Sequence, residues 1–263
     1  MQAACAQEIP FYEIIVVDNN SADATPAIAR RFPGVKVVRE RLQGKVHART
    51  TGFNTAKGEI IARIDADTIL PPNWCGTVQT IFARRTIDAV SGMPNYYDLA
   101  FPRLANAVEH FFRRWLARAL RETLFLQGAN MAVRRSAWQA VRAHTCVSRH
   151  IHEDFDVAIH LQTAGYAVVF EERLVAGLSA RCVDADFKYF LSYVRINPYS
   201  YAVHGVPHYR RMYPVLAMIV VLFFPARMLF RARDPRTGKF SWARLFAERP
   251  VQPRIDPGGV YLS

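Results

Sequence analysis

Through the first two-thirds of the chain, continuous apolar runs alternate with segments of helical spacing. "EIIVVDNNSADAT" is an apolar run that stops at Asp18-Asn19-Asn20-Ser21, the pattern of a buried strand ending in a polar turn. "DATPAIARRF" then predicts a helix entered through a polar cap with a proline in its first turn. "VKVVRE" predicts a short strand, and "GKVHARTTGFNTAKG" a helix closing at Gly58. "EIIARID" is the next strand, "PNWCGTVQTIFARR" the next helix and "DAVSGMP" a further strand. This order implies βαβ units and therefore an α/β fold, a mixed but mostly parallel sheet flanked by helices. In such sheets ligands sit beyond the carboxyl ends of the strands. Asp18 and the pair Asp65 and Asp67 fall at two such ends.

The pattern then changes. "NAVEHFFRRWLARALRETLF" places Phe112, Leu116 and Leu120 on one helical face and Arg114, Arg118 and Arg121 on another. Such a basic amphipathic helix suits a membrane surface, or a domain surface with its arginines solvated. "HIHEDFDVAIHLQTAGYAVVF" opens with acids at the start of a helix, stops at Gly165 and continues as a strand. Further on, "YPVLAMIVVLFFPARMLF" has an uninterrupted apolar core from Val215 to Phe224. That core is shorter than the roughly 20 residues that cross a bilayer, Pro225 and Arg227 interrupt it, and arginines flank it. It is expected to associate with a membrane, as a bare span or along the interface, with packing on the protein as the other option. The catalytic-looking part, residues 1–205, is expected to end there; residues 206–263 would form a membrane-associated helix and a polar, loosely ordered tail.

Composition narrows the function classes. Half of the 263 residues are hydrophobic (51%), enough for a sizeable core. The net charge of +12 suits a phosphate-rich partner, or simply a solubilising surface. The arginines recur as scattered pairs, and no nucleic-acid-binding signature accompanies them, so no nucleic-acid partner is expected. The four cysteines are far apart with no CxxC pair, which disfavours a zinc ribbon or a disulfide scaffold and suits a reducing compartment. The start, "MQAACAQEIPFYE", lacks the charge and apolar pattern of a signal peptide.

Two acid clusters carry the candidate chemistry. A carboxylate pair on a turn after a strand can hold Mg²⁺ or Mn²⁺ against substrate phosphates; the same residues also suit turn capping. Glu153-Asp154, in the first turn of a helix, can take a proton from an attacking hydroxyl, or can serve as caps alone. His150, His152 and His160 form no HExxH pattern, which disfavours a zinc protease.

Together these segments resemble the family 2 glycosyltransferases with the GT-A (Rossmann-like) fold, over roughly residues 7–205. "EIIVVDNNSADAT" is similar to the family's nucleotide-base loop, and the run ending in "DAD" to its DxD motif. "GANMAVRR" is similar to the segment lining the donor-sugar and acceptor region, and "HEDFDVAIHLQTAGYAVVF" to the ED motif and its helix. The resemblance implies that Asp18 contacts the base, Arg49 helps hold the nucleotide, and Asp65 contacts the ribose or the metal. Asp67 would ligate the metal on the diphosphate, and Asp154 would be the catalytic base. Glu153, Gly128, Asn130 and Arg195 would lie on the acceptor side; Thr50 stands where the family often has Asn. The implied activity is inverting transfer of a sugar from a nucleotide-diphosphate sugar to a glycan or lipid-linked acceptor. The implied location is the cytoplasmic face of the inner (plasma) membrane, peripheral or single-pass.

Relatives begin with one more strand and helix, on the order of 30 residues, before "EIIVVD". The reading is therefore of an N-terminally truncated member, expected to be poorly stable and weakly active as it stands. Two competing functions are an impaired, membrane-docked sugar-nucleotide-binding protein and an aspartate-based phosphatase. The latter usually has Thr or Val where Ile69 stands.

Overall fold

The computed structural model describes residues 1–99, 101–120, 124–148, 150–234, 239–245 and 261–262. The chain opens with α1 (Gln2–Cys5), β1 (Ile14–Asp18), α2 (Thr25–Ala29), β2 (Val35–Arg39), α3 (Lys45–Thr55), β3 (Ile60–Ile64), α4 (Trp74–Phe82) and β4 (Ala89–Tyr96). It continues with α5 (Pro102–Ala119), β5 (Asn130–Arg134), α6 (Arg135–Val141), α7 (Glu153–Thr163) and β6 (Val168–Leu178). Then come α8 (Phe187–Val203), α9 (Tyr213–Ala232) and β7 (Tyr261–Leu262).

Two compact units result, interleaved in sequence. One comprises Met1–Met93, Leu124–Ala176 and Ile255–Ser263; the other Pro94–Thr123 and Gly177–Arg254. Residue 205, the expected end of the catalytic part, lies inside the second unit.

The first unit carries the sheets. β1 and β2 pair in parallel from Ile14↔Val35 to Asp18↔Arg39, as the strand–helix–strand order predicts. β3, β5, β4 and β6 form a second sheet in that order. β5 is antiparallel to both β3 and β4, so those two run in the same direction with β5 inserted between them. β7 lies antiparallel along the other edge of β1. Between β1, β3 and α1 is an apolar cavity of about 120 Å³, lined by Ile15, Ile61, Leu70 and Trp74 among others.

Each boundary has a local cause. The first predicted helix shrinks to Thr25–Ala29, with Pro26 in its first turn and the Asp23 carboxylate accepting the Thr25 amide. α3 ends at Thr55, short of Gly58, because Ala56 turns extended and the Glu13 carboxylate accepts the amides of Lys57 and Gly58. α7 closes at Gly165, whose φ of 83° places it in the left-handed region; Tyr166 and Gly165 donate to Leu161 and Gln162. The core of this unit joins Phe53, Ile61, Met131, Trp138, Val157 and Leu161, with Phe53 and Trp138 edge to face at 5.1 Å.

In the second unit α5 forms as predicted, although Arg121 lies outside the described residues. α9 runs through Pro225 as one helix, so the proline does not end the apolar segment. Pro225 removes one amide donor, and the rings of Phe187 and Phe190 on α8 hold Phe223 beside it. Within Tyr209–Ala232 an 18-residue window has a mean hydropathy of 2.0, with 28% of the window buried; by length and composition this helix can cross a membrane. Most of the tail expected to be loosely ordered lies outside the described residues.

Candidate active site

Three strand or helix ends of the first unit carry acids. The first is Asp18, the last residue of β1, 8% exposed and accepting the Ser21 amide at 3.0 Å. Asn19 beside it is buried, and its amide donates to the carbonyls of Glu40 (3.1 Å) and Leu42 (2.7 Å) while accepting the Gly44 amide at 2.7 Å. It thereby fixes the two loops that flank Asp18. The sequence signal for Asn19 was only its place after an apolar run, and its role was missed.

The second is the turn after β3. Thr68 closes it: its amide donates to the Asp65 carbonyl at 3.0 Å, and its hydroxyl accepts the Asp65 amide at 3.2 Å. The same hydroxyl donates to the Ala129 carbonyl at 3.1 Å and so ties the turn to β5. Asp65 and Asp67 are both half-buried, but the Oδ1 atom of Asp65 is sealed from water and meets no hydrogen-bond donor among the described residues. Burial pushes the Asp65 carboxyl up, with Arg63 and Lys45 opposing. An unsatisfied oxygen beside a second carboxylate fits a hard divalent cation with oxygen ligands.

The third is the first turn of α7. Asp154 accepts the Gly128 amide at 2.9 Å on one oxygen and the Phe155 amide at 2.9 Å on the other. Glu153 is buried and paired with Arg63 of β3, Nη2 to Oε1 2.7 Å. Burial pushes its carboxyl up, but Arg63, then Lys45, reverse this and hold it down at about 2. Gly128 lies against the same guanidinium: a Cβ there would stand 2.7 Å from Arg63 Cζ. Arg63 therefore organises this turn, and it too was missed, because its partner Glu153 lies 90 positions away in sequence.

Two expected contacts take another form. Arg49 is 1% exposed; it donates to the Glu153 carbonyl at 2.7 Å, lies 3.9 Å from Asp156 and sits 5.2 Å from the Trp138 ring centroid. Burial pulls its guanidinium down to about 10, opposed by Asp156 and Glu153. In this arrangement it is a strut under α7. Asn130, expected on the acceptor side, is 0% exposed and accepts from Trp74 Nε1 while donating to the carbonyls of Met93 and Leu174. It braces the sheet interior and does not line a surface, a correction that follows from its position opening β5 between β3 and β4. Arg195 lies exposed on α8 of the second unit.

The family model for glycosyl transferase family 2 matches residues 1–142, more than half of the chain. The chain belongs to glycosyl transferase family 2. Its α/β fold is of the GT-A type expected for that family. It is 40% identical over 73 residues to "Putative glycosyltransferase EpsH" of Bacillus subtilis, covering 26% of this chain and 21% of that one. It is 27% identical over 154 residues to the undecaprenyl-phosphate 4-deoxy-4-formamido-L-arabinose transferase of Pseudomonas syringae, covering 56% of this chain and 40% of that one. The chain thus spans well under half the length of these curated relatives. Among solved structures, it shares its fold with a Pyrobaculum calidifontis mannosyltransferase in complex with GDP-Man and Mn²⁺. The TM-score is 0.62 at 19% identity, over 93% of this chain and 72% of that one. Staphylococcus aureus TarS in complex with UDP-GlcNAc matches with a TM-score of 0.53 at 12% identity, over 85% of this chain and 66% of that one. The family 2 match covers the Asp18 and Asp65/Asp67 ends and stops before Glu153-Asp154.

Proposed function

We propose that this family 2 member transfers a sugar from a nucleotide-diphosphate sugar to an acceptor hydroxyl, with inversion at the anomeric carbon. The observation that carries the proposal is that Asp18, Asp65, Asp67 and Asp154 each stand at an end of a first-unit strand or of α7, with Asp65 Oδ1 buried and lacking a donor among the described residues. Asp18 would contact the base, Asp65 the ribose or the cation, and Asp67 would hold the cation beside the diphosphate. A Mg²⁺ or Mn²⁺ ion held there would supply charge stabilisation for the departing diphosphate. The structural relative bound to GDP-Man and Mn²⁺ supports that choice of ligands.

Asp154 takes the proton from the acceptor hydroxyl as its oxygen attacks the anomeric carbon. The new carbon–oxygen bond forms on the face opposite the diphosphate, and the old bond's electron pair leaves with it. No covalent enzyme intermediate is needed. The Gly128 and Phe155 amides, one on each carboxylate oxygen, orient Asp154 for this step. Arg49 bears on the nucleotide through the α7 turn it supports; Glu153 and Gly128 serve the acceptor side.

The acceptor we favour is a lipid-linked or cell-surface glycan, at the cytoplasmic face of the plasma membrane. The apolar α9 and the similarity to an undecaprenyl-phosphate sugar transferase support this. The test is Asp154→Asn assayed for transfer and for donor binding. Transfer should fall by at least about 100-fold with donor affinity retained; undiminished transfer would refute Asp154 as base. A parent chain that binds donor without turnover would favour the impaired binding protein instead.

A further inference from the structure

A second cluster of metal-ligating groups lies in the first unit, apart from the acids just described. Cys146 sits in the loop before α7, and Asp156 and His160 lie one turn apart on α7 itself. Their ligand atoms, the Cys146 sulfur, an Asp156 oxygen and a His160 ring nitrogen, all fall within 4.8 Å of one another. We infer that Cys146, Asp156 and His160 form a zinc-type metal site, distinct from the Mg²⁺ or Mn²⁺ site at Asp65 and Asp67.

The donor set points to the metal. One thiolate, one imidazole and one carboxylate make a mixed, borderline-soft site that suits Zn²⁺ rather than Mg²⁺ or Mn²⁺. The spacing is close to that needed. Zinc bonds of roughly 2.0–2.3 Å make the edges of a ligand tetrahedron about 3.3–3.8 Å. His160 Nε2 lies 3.3 Å from Asp156 Oδ1, one such edge, set by the i,i+4 spacing on the helix. The Cys146 sulfur lies within 4.8 Å of both other ligand atoms, so bonding would need only a small loop shift.

The surroundings already hold the ligands. Asp156 is fully buried, and both its oxygens accept the Cys146 amide, at 3.2 and 3.0 Å, which keeps the loop on the helix. Arg49 stands 3.9 Å from Asp156 but makes its short bond, 2.7 Å, to the Glu153 carbonyl. Only the thiolate form of Cys146 can bond a metal. Binding therefore replaces the thiol proton with a sulfur–metal bond and releases the proton to solvent. The ionised thiolate and carboxylate then balance the two charges of the ion. A metal here would clamp residue 146 to the helix whose first turn carries Glu153 and Asp154.

The full chain, stripped with a chelator, is titrated with Co²⁺ as the spectroscopic probe and with Zn²⁺ in competition. One equivalent of Co²⁺ should give a thiolate-to-cobalt charge-transfer band that Zn²⁺ abolishes, and Zn²⁺ should raise the thermal midpoint. Cys146→Ser and His160→Gln should each weaken Zn²⁺ binding by more than the roughly 10–100-fold that loss of an outer-shell partner costs. Asp67→Ala should leave the band intact. Circular dichroism of the metal-free variants shows whether each remains folded. Absence of the band, or a band that survives Cys146→Ser, overturns the site and leaves the three residues as a hydrogen-bonded network alone.

Discussion

Arg63→Met removes the guanidinium on which the first turn of α7 rests. Arg63 is 2% exposed and Glu153 6%, and they meet at 2.7 Å. Losing one partner of a buried pair strands the other charge, which costs roughly 3–5 kcal/mol. The titration of Glu153 leads to a similar figure: displacement from its ordinary 4.5 to about 2 corresponds to about 3 kcal/mol. Because the folded value is depressed, that stability is fully present above pH 4.5 and is lost as pH falls towards about 2. In Arg63→Met, burial prevails over Lys45 and the sign reverses: the carboxyl titrates above its ordinary value, so stability is lost as pH rises through that higher value. Urea unfolding from pH 4 to 8, followed by circular dichroism, reads both effects. The parent should gain little across that range, whereas Arg63→Met should be about 3 kcal/mol less stable near neutrality and partly recover on acidification. Arg63→Met/Glu153→Gln, which removes the stranded charge, should regain at least about 2 kcal/mol. A single variant within about 1 kcal/mol of the parent, or a double variant no better than the single, would refute the reasoning.

Asp67→Ala should weaken cation-dependent binding of a nucleoside diphosphate by at least about tenfold while leaving cation-free binding alone; calorimetry with and without Mn²⁺ decides, and equal loss in both arms rejects the ligand role. Gly128→Ala would place a Cβ 2.7–2.9 Å from three atoms of the Arg63 guanidinium. Overpacking of this kind costs about 1–3 kcal/mol, visible as a lower urea midpoint, and displaces the amide that orients Asp154; an unchanged midpoint shows that the guanidinium yields. Replacing the exposed Val221, Leu222 and Phe224 of α9 by Ser, with the buried Phe223 kept, should lower vesicle binding by more than about tenfold. Unchanged co-sedimentation excludes that face as the membrane contact.

The alternation of apolar runs and helical segments was enough to place β1, β3, α3 and α7 and to put Asp18, Asp65, Asp67 and Asp154 at their ends. This is because backbone periodicity is a local property, and acids at the end of an apolar run have few other places to go. What residues 63, 130 and 49 do was not legible in that way. Arg63 meets Glu153 across 90 positions of sequence, and Arg49 meets the Glu153 carbonyl across 104. Asn130 is buried because β5 enters between β3 and β4, a pairing that no local pattern encodes. The run through Pro225 likewise depended on rings from a neighbouring helix. Sequence by itself determined which elements form and that acids fall at their ends. Only the tertiary structure decided which polar side chains are buried as supports for the sheet and for α7, because that depends on close packing between segments far apart in the chain.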